Sequence, residues 1–288
     1  GIWDFIETEY GENGQLYPRR HLSTMATAMP WLTERLQNYG QYSKTPLINL
    51  FASTFKTQMK RIEIRTLEST VFIQNGGRFE PESLPIKAQF SSAFCPVVAD
   101  FNNDGFEDIF ISQNEFSLHP EESREDAGLG LLMLGDGEGS FRALSISESG
   151  LVVPGEGRGS AAADFDHDGR TDLLVAQNGS TPRLFKNQTK RNGLRVILRG
   201  DEQNPEGVGA AMRLKLGDGL GAKRIVRLGS GYLSQNAPTQ VLGNNEQATG
   251  LIVAWPSDGK TEFFNLQSGQ LEIVAIKGRG SAWPSASQ

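Results

Sequence analysis

Two nine-residue segments of this chain carry the same acidic pattern, and this pattern constrains their conformation more than any other feature of the sequence. They are residues 100–108 (DFNNDGFED) and 164–172 (DFDHDGRTD), with oxygen-bearing side chains at positions 1, 3, 5 and 9 and a glycine at position 6. Alternate residues of a tight loop can direct their side chains toward one point, while glycine permits the sharp bend. Calcium takes about six to eight oxygen ligands in such loops. The pattern therefore predicts two calcium-binding loops.

The predicted ligands are the side chains at positions 1, 3, 5 and 9 and the backbone carbonyl at position 7. They are Asp100, Asn102, Asp104, Phe106 and Asp108 in the first loop, and Asp164, Asp166, Asp168, Arg170 and Asp172 in the second. Four carboxylates in the second loop against three in the first predict tighter binding by the second loop. His167, at position 4 of the second loop, is expected to point away from the cation.

Asp, Asn and Gly are also common in ordinary turns, so the alternative is a pair of unusually polar hairpin turns. An ordinary turn needs only one such residue, whereas carboxylates packed about 5 Å apart repel each other by roughly 3 kcal/mol per pair at an effective dielectric constant of about 20. A bound cation removes this repulsion. Because the pattern occurs twice, it favours calcium binding over the turn alternative.

The residues around the loops indicate which kind of calcium loop they form. An EF-hand has a glutamate at position 12 and lies between helices, but position 12 is Ile111 in one copy and Val175 in the other. Strand-like runs flank both loops, at 96–99 and 109–112 for the first and at 160–163 and 173–176 for the second. We therefore reject the EF-hand and expect each loop to cap a β-hairpin.

A second pattern, an apolar strand followed by a glycine-rich turn and a phenylalanine, alternates with the acidic loops. It occurs at 71–79 and 131–141, so that Phe79 precedes the first loop by 21 residues and Phe141 precedes the second by 23. The acidic loops begin 64 residues apart. This regularity indicates a repeat of roughly four short strands, as in the blades of a β-propeller.

These loops and hairpins resemble the FG-GAP or VCBS repeats of integrin-α-type β-propellers, and the resemblance implies that residues 1–190 form part of a propeller. The remainder of the chain resembles the ASPIC/UnbV domain, which follows such repeats in bacterial secreted proteins. Three motifs carry this second resemblance in order: NPEGVGA at 204–210, GSGYLSQ at 229–235 and VAWPSDG at 253–259. The family usually reads His-Phe-Gly-Leu-Gly where this chain has VLGN at 241–244, so no role of that histidine is carried over.

Residues 23–60 break the β pattern and predict a helical insertion within the propeller region. One helix is expected to begin at Pro30, and a second to be capped by Thr45 and Pro46. The apolar residues predicted for their inner faces are Trp31, Leu32, Leu36 and Tyr39 in the first helix, and Leu47, Leu50, Phe51 and Phe55 in the second. We expect these faces to pack on the propeller, the alternative being a groove for a partner.

Residues 191–279 predict a β-sandwich, followed by a flexible tail at 280–288. The candidate strands are separated by Gly, Asn, Pro and Asp and lie at 194–198, 212–216, 224–228, 251–255, 262–266 and 271–276. Tyr232 and Trp255 could stack on a sugar ring, but an aromatic residue in a sandwich more often belongs to the core.

The N-terminal segment and the number of repeats indicate whether this chain is part of a longer protein. The first residue is glycine rather than methionine, and residues 2–6 have the composition of a strand. The acidic loops account for two blades and part of a third, whereas closed propellers have about four to eight. We expect the chain to be the C-terminal piece of a longer protein, in which missing N-terminal blades cover an exposed sheet edge.

Composition limits the partners and the location. The formal net charge of −6 argues against a nucleic-acid partner, because phosphate binding requires clustered Lys and Arg. No run reaches the roughly 18 apolar residues of a membrane span. Cys95 is the single cysteine, so it forms no intrachain disulfide, and its apolar surroundings predict a buried thiol. The cysteine therefore does not indicate the compartment, whereas the resemblance implies a location outside the cell, at the cell surface or in the periplasm.

Residues that usually mark an enzyme are few. The chain has three histidines and one cysteine, and it contains neither a G-x-S-x-G nor an H-E-x-x-H motif. We predict a calcium-binding extracellular adhesion or ligand-binding module without catalytic activity, for a cell-surface or matrix glycan or protein. The alternative is a polysaccharide-acting enzyme or its carbohydrate-binding appendage, because the spacing of paired carboxylates is decided only by the fold. A third possibility is a purely structural scaffold.

Overall fold

The computed structural model describes residues 5–36, 38–51, 60–217, 219–243, 245–257 and 259–283. They belong to two compact units, which we describe separately. The first unit comprises residues 1–67 and 118–123, and the second comprises residues 68–117 and 124–288. The predicted mainly β character is confirmed, with the helices concentrated in the first unit.

The first unit combines a short hairpin with a cluster of helices. The hairpin pairs β1 (Thr8–Tyr10) with β2 (Leu16–Pro18). The helices are α1 (Leu22–Ala28), α2 (Trp31–Arg35), α3 (Tyr39–Ser43) and α4 (Leu47–Leu50). Their buried side chains form a hydrophobic core within this unit, made of Leu22, Met25, Leu32, Tyr42, Leu50 and Phe51.

The helices are shorter than predicted. The helix that begins at Pro30 was expected to include Leu36 and Tyr39, but it ends at Arg35, because Leu36 has an extended backbone. Asn38 then begins α3 as its N-cap, and its side chain accepts a hydrogen bond of 2.9 Å from the N–H of Gln41. Tyr39 consequently lies on another helix and is 63% exposed, so its placement on the inner face was wrong.

Two further predictions concern the edges of this unit. Phe5 and Ile6 lie outside any strand, and residues 1–4 are outside the described residues. Phe55 is also outside the described residues, so the second predicted helix is followed only through α4.

The second unit begins with antiparallel hairpins that form three sheets. Their strands are β3 (Thr70–Asn75), β4 (Arg78–Ser83), β5 (Ala93–Ala99), β6 (Asp108–Gln113), β7 (Leu131–Gly135), β8 (Phe141–Ala143), β9 (Glu156–Ala163), β10 (Asp172–Asn178) and β11 (Ser180–Phe185). Strands β3 and β4 pair with each other, β5 to β8 form a four-stranded sheet in chain order, and β9 to β11 form a three-stranded sheet. A 3-10 turn (Ile86–Gln89) and the short helix α5 (Ile146–Ser149) connect strands. These sheets are open within the described residues, and a propeller remains a prediction.

Both acidic loops cap hairpins, as predicted. The first loop connects β5 to β6, and the second connects β9 to β10. Buried residues of all these strands form one hydrophobic core, in which Val97, Phe110 and Val175 are at most 2% exposed. This shared core holds both loop-bearing hairpins in a defined arrangement.

The C-terminal part of the second unit is built from two sheets. Its strands are β12 (Leu194–Arg199), β13 (Ala211–Leu216), β14 (Gly219–Leu220), β15 (Arg224–Ile225), β16 (Gln240–Leu242), β17 (Ala248–Ala254), β18 (Thr261–Asn265), β19 (Glu272–Ile276) and β20 (Ser281–Ala282), with a 3-10 turn at Asn245–Gln247. One sheet has the order β16-β12-β19, and the other has the order β14-β13-β17-β18-β20 with β15 also paired to β13. Residues 284–288 are outside the described residues.

The two C-terminal sheets share one core, which is the arrangement of a sandwich. Leu194 and Val196 contribute from one sheet, and Met212 and Leu251 from the other. Strands β12 and β19 are parallel, a pairing that short-range strand signals do not predict. Trp255 is 2% exposed, and its Nε1–H donates to Glu262 at 3.1 Å, so it belongs to the core rather than to a sugar-stacking surface.

The longest described helix is α1, with seven residues. None of the described helices is long and apolar enough to cross a membrane.

Candidate metal centre

The two acidic loops have the same backbone shape. Position 4 has a positive φ in each loop, 55° at Asn103 and 62° at His167. The glycine at position 6 also has a positive φ, 97° at Gly105 and 78° at Gly169. Glycine tolerates this left-handed region, and asparagine and histidine enter it more readily than most residues. The same residue pattern therefore produces the same turn twice.

In the first loop, backbone N–H groups hold the carboxylates at positions 1 and 5. Asp100 accepts hydrogen bonds from the N–H groups of Asp104 (3.1 Å) and Gly105 (2.8 Å), one on each oxygen. Asp104 accepts one from the N–H of Phe106 at 2.9 Å. Asn102 donates its side-chain N–H to the other oxygen of Asp104 at 2.8 Å, so positions 3 and 5 are in direct contact.

The carboxylates at positions 1 and 9 of the first loop are buried. Asp108 accepts hydrogen bonds from the N–H groups of Phe101 (2.8 Å) and Gly135 (3.0 Å). Burial raises the pKa of Asp100 to about 6 and that of Asp108 to about 7, although Arg224 acts in the opposite direction on Asp100. Negative charge at this loop is thus costly unless a cation compensates for it.

The second loop repeats this backbone cradle. Asp164 accepts from the N–H groups of Asp168 (3.0 Å) and Gly169 (3.2 Å), and Asp168 accepts from that of Arg170 (3.1 Å). Asp172 accepts from the N–H of Phe165 at 3.1 Å. Burial raises the pKa of Asp172 above its ordinary value.

Three carboxylates of the second loop converge. One oxygen from each of Asp164, Asp166 and Asp172 lies within 4.8 Å of the other two. Asp164 and Asp172 are buried, whereas Asp166 is exposed. These residues occupy positions 1, 3 and 9, and three oxygens at this spacing can contact one cation.

Basic side chains also surround the second loop. Lys186 forms an ion pair with Asp166 and lies 3.5 Å from Asp168, and its hydrogen bond lowers the pKa of Asp166. Arg170 pairs with Asp168. The Nε of Arg195 lies 3.2 Å from a carboxylate oxygen of Asp164. Asp168, a predicted ligand at position 5, is therefore engaged by two basic side chains.

Carboxylate and amide oxygens are the ligands of a hard divalent cation, and both loops contain them. Among the described residues, the second loop alone brings three carboxylates within 4.8 Å, those of Asp164, Asp166 and Asp172. The carbonyl ligands predicted for Phe106 and Arg170 remain predictions. Sequence reasoning missed Lys186, Arg195 and Arg224, which lie well outside the nine-residue loops along the chain. No signal in the nine-residue pattern identifies them.

Comparison with known proteins supports part of the sequence interpretation. Residues 200–279 match the family model described as ASPIC and UnbV. Cartilage acidic protein 1 of Homo sapiens is 27% identical over 203 residues, which is 68% of this chain and 30% of that protein. The same protein of Xenopus tropicalis is 29% identical over 190 residues, 62% of this chain and 27% of the relative.

The relatives are much longer than the segment that matches this chain. The alignments cover 30% of the human protein and 27% of the Xenopus tropicalis protein, so this chain matches less than a third of each relative. The match to residues 200–279 agrees with the β-rich C-terminal region and its three predicted motifs. This chain contains an ASPIC/UnbV domain.

Proposed function

We propose that both acidic loops bind calcium and that the chain is a calcium-stabilised extracellular module for adhesion or ligand binding, without catalytic activity. The convergence of Asp164, Asp166 and Asp172 within 4.8 Å carries this proposal. The residues that would hold the ions are Asp100, Asn102, Asp104, Phe106 and Asp108 in the first loop, and Asp164, Asp166, Asp168, Arg170 and Asp172 in the second.

A bound calcium ion supplies positive charge where the carboxylates of one loop repel each other. The chain contributes the cradle, since the N–H groups of Gly105 and Gly169 hold the position-1 carboxylates. Each occupied site would raise the free energy of unfolding by about 2.7 kcal/mol when free calcium is a hundredfold above the dissociation constant.

One observation supports the extracellular part of the proposal, and another supports the expected propeller architecture. The relatives are named for cartilage, a tissue that consists largely of extracellular matrix. The four-stranded sheet β5 to β8 and the alternating loops also have the order expected for a propeller blade, and we infer that residues 68–185 are parts of such blades.

A cavity of about 710 Å³ beside the first loop supports the ligand-binding part. Asp100 and Asp104 line one side, and Arg213 and Leu214 of β13 line another. Its volume lies in the range of about 300 to 1,000 Å³ that is usual for small-ligand sites. The mixture of charged and apolar groups suits a short glycan or peptide segment, and contacts there would depend on the occupancy of the first loop.

The same cavity keeps one alternative open. Glu107 and Glu138 also line it, and a pair of carboxylates is what glycoside hydrolysis requires. Glu107 is, however, in an ion pair with Arg224 at 2.8 Å, so its carboxylate is already engaged by another side chain. Release of shortened chains from acidic polysaccharides would favour the enzyme, and retention of intact glycans would favour the binding module.

Calcium titration followed by thermal unfolding tests the central claim. We expect millimolar calcium to raise the melting temperature of the wild type, and an equal concentration of magnesium to raise it much less. Asp166→Asn should reduce the calcium effect. Asp126→Asn, the same charge change in an exposed residue paired with Arg124, should leave it intact. A melting curve that neither calcium nor a chelator shifts would contradict calcium binding.

A further inference from the structure

We propose that the two acidic loops bind calcium cooperatively, because Asn103 and Asn187 join them into one hydrogen-bonded unit. This inference depends on the calcium binding proposed above. It assigns to these two asparagines a positioning role that the spacing of the predicted ligands does not indicate.

Asn103 connects the first loop to the second. It occupies position 4 of the first loop and is 2% exposed. Its side-chain N–H group donates to the carbonyl of Gly169 in the second loop at 3.2 Å and to that of Arg191 at 2.9 Å. The Gly169 carbonyl belongs to the same planar peptide as the N–H of Arg170, which donates to Asp168 at 3.1 Å. A rotation of this peptide in one loop therefore changes a contact made by the other.

Asn187 contacts both loops at once. Its side-chain N–H group donates to the carbonyl of Phe101 at 2.7 Å in the first loop and to that of Thr171 at 2.9 Å in the second. Its backbone N–H donates to Asp172 at 2.7 Å. The N–H of Phe101 in turn donates to Asp108, so Asn187 touches segments that hold the position-9 carboxylate of each loop.

Close backbone packing leaves little room for the loops to move independently. Gly193 donates its N–H to the carbonyl of Gly169 at 2.7 Å. A Cβ on Gly193 would lie 2.7 Å from the side-chain oxygen of Asn103, and a Cβ on Gly243 would lie 2.1 Å from an oxygen of Asp100. Ordering one loop around an ion should therefore order the peptides of the other, so the second ion meets a loop that has already lost part of its freedom.

Calcium titration with separate signals for the two loops, such as backbone amide resonances, measures this coupling. In the wild type we expect binding steeper than that of two independent sites. Asp166→Ala, which disables the second loop, should weaken calcium binding by the first loop about fivefold, at the lower end of usual coupling between sites.

Asn103→Gly tests the connection itself. Glycine adopts the positive φ of this position without strain, so the substitution removes the side-chain hydrogen bonds and retains the turn. We expect two independent binding curves, and Asp166→Ala should then leave the affinity of the first loop unchanged. His167→Gly is the matched control, because His167 has the equivalent position and φ but an exposed side chain, and it should retain the cooperativity.

Asn187→Ala provides a second variant in case Asn103→Gly does not fold, and we expect it to reduce the coupling as well. Independent binding curves in the wild type would overturn the proposal, and so would undiminished cooperativity in a folded Asn103→Gly or Asn187→Ala variant. Absence of calcium binding by both wild-type loops would instead refute the proposed function, and this inference with it.

Discussion

The two loops differ in which groups lie around their carboxylates and affect the cost of their negative charge. The second loop has four carboxylates, but Lys186, Arg170 and Arg195 all lie against them. In the first loop, burial dominates at Asp100 and Asp108. A count of carboxylates predicts tighter binding by the second loop. The basic neighbours should lower the calcium affinity of that loop, because an incoming ion must compete with them for the carboxylates.

Lys186→Met should therefore strengthen calcium binding by the second loop. The substitution removes a cation that pairs with Asp166 and lies near Asp168, and we expect a severalfold lower dissociation constant for that loop. Because Lys186 is about half exposed, the change should be modest. Site-resolved calcium titration measures it.

Lys190→Met is a suitable control for this prediction, since it makes the same charge change at an exposed position a short distance along the chain. Equal effects of the two substitutions would mean that only the overall charge matters. No change in Lys186→Met would contradict competition between Lys186 and calcium.

At the level of elements, a contact around the sulfur of Cys95 joins the ASPIC/UnbV domain to the hairpins. The Sγ of Cys95 on β5 accepts hydrogen bonds from the N–H groups of Ser160 and Tyr232, both at 3.3 Å. It also lies 3.2 Å from the hydroxyl of Ser234. The GSGYLSQ motif at 229–235 is thus held against β5 and β9, and this contact leaves no room for a side chain at Gly231.

Gly231→Ala should disrupt this contact. A Cβ at Gly231 would lie 2.4 Å from the Sγ of Cys95, and φ is 75°. Gly229 has a φ of 78° but open space around it, so Gly229→Ala introduces the backbone strain without the overlap. We expect Gly231→Ala to lose about 1 to 3 kcal/mol more unfolding free energy than Gly229→Ala.

Denaturant unfolding of both variants measures this difference. Equal losses would show that the sulfur contact adds nothing to backbone strain. If Gly231→Ala fails to fold while Gly229→Ala folds, the contact is at least as important as proposed.

The elements also show where short-range patterns succeed and fail. The hairpins around both acidic loops were predictable because alternating apolar residues and turn residues lie next to each other in sequence. The helix start at Pro30 agrees with α2, but the placement of Tyr39 on the same helix was wrong. The apolar spacing ignored Asn38, whose side chain favours a new helix start. The helix that follows is too short to be recognised by periodicity alone.

For the whole molecule, both acidic loops lie in the second compact unit, and the helices α1 to α4 lie in the first. If calcium acts through the loops, its removal should increase amide hydrogen exchange in β5, β6, β9 and β10. The amides of α1 should exchange at an unchanged rate, because the core of the first unit contains none of the loop residues. Exchange measured with calcium and with a chelator tests this expectation.

Asp126→Asn leaves both loops intact, so the chelator should increase amide exchange in this variant as much as in the wild type. In Asp166→Asn, the chelator should no longer increase the exchange of the β9 and β10 amides. A chelator effect spread evenly over both units would contradict local stabilisation by the loops.

The sequence by itself determined the two acidic turns, the hairpins that carry them and the motifs of the ASPIC/UnbV domain. These depend on side chains and backbone preferences a few residues apart, so they can be recognised without the fold. Only the tertiary structure decided that Arg195 faces Asp164, that Asn103 and Asn187 bridge the loops, and that β12 pairs in parallel with β19. Such contacts form between distant segments, and they follow from how the whole chain buries its apolar surface rather than from any local pattern.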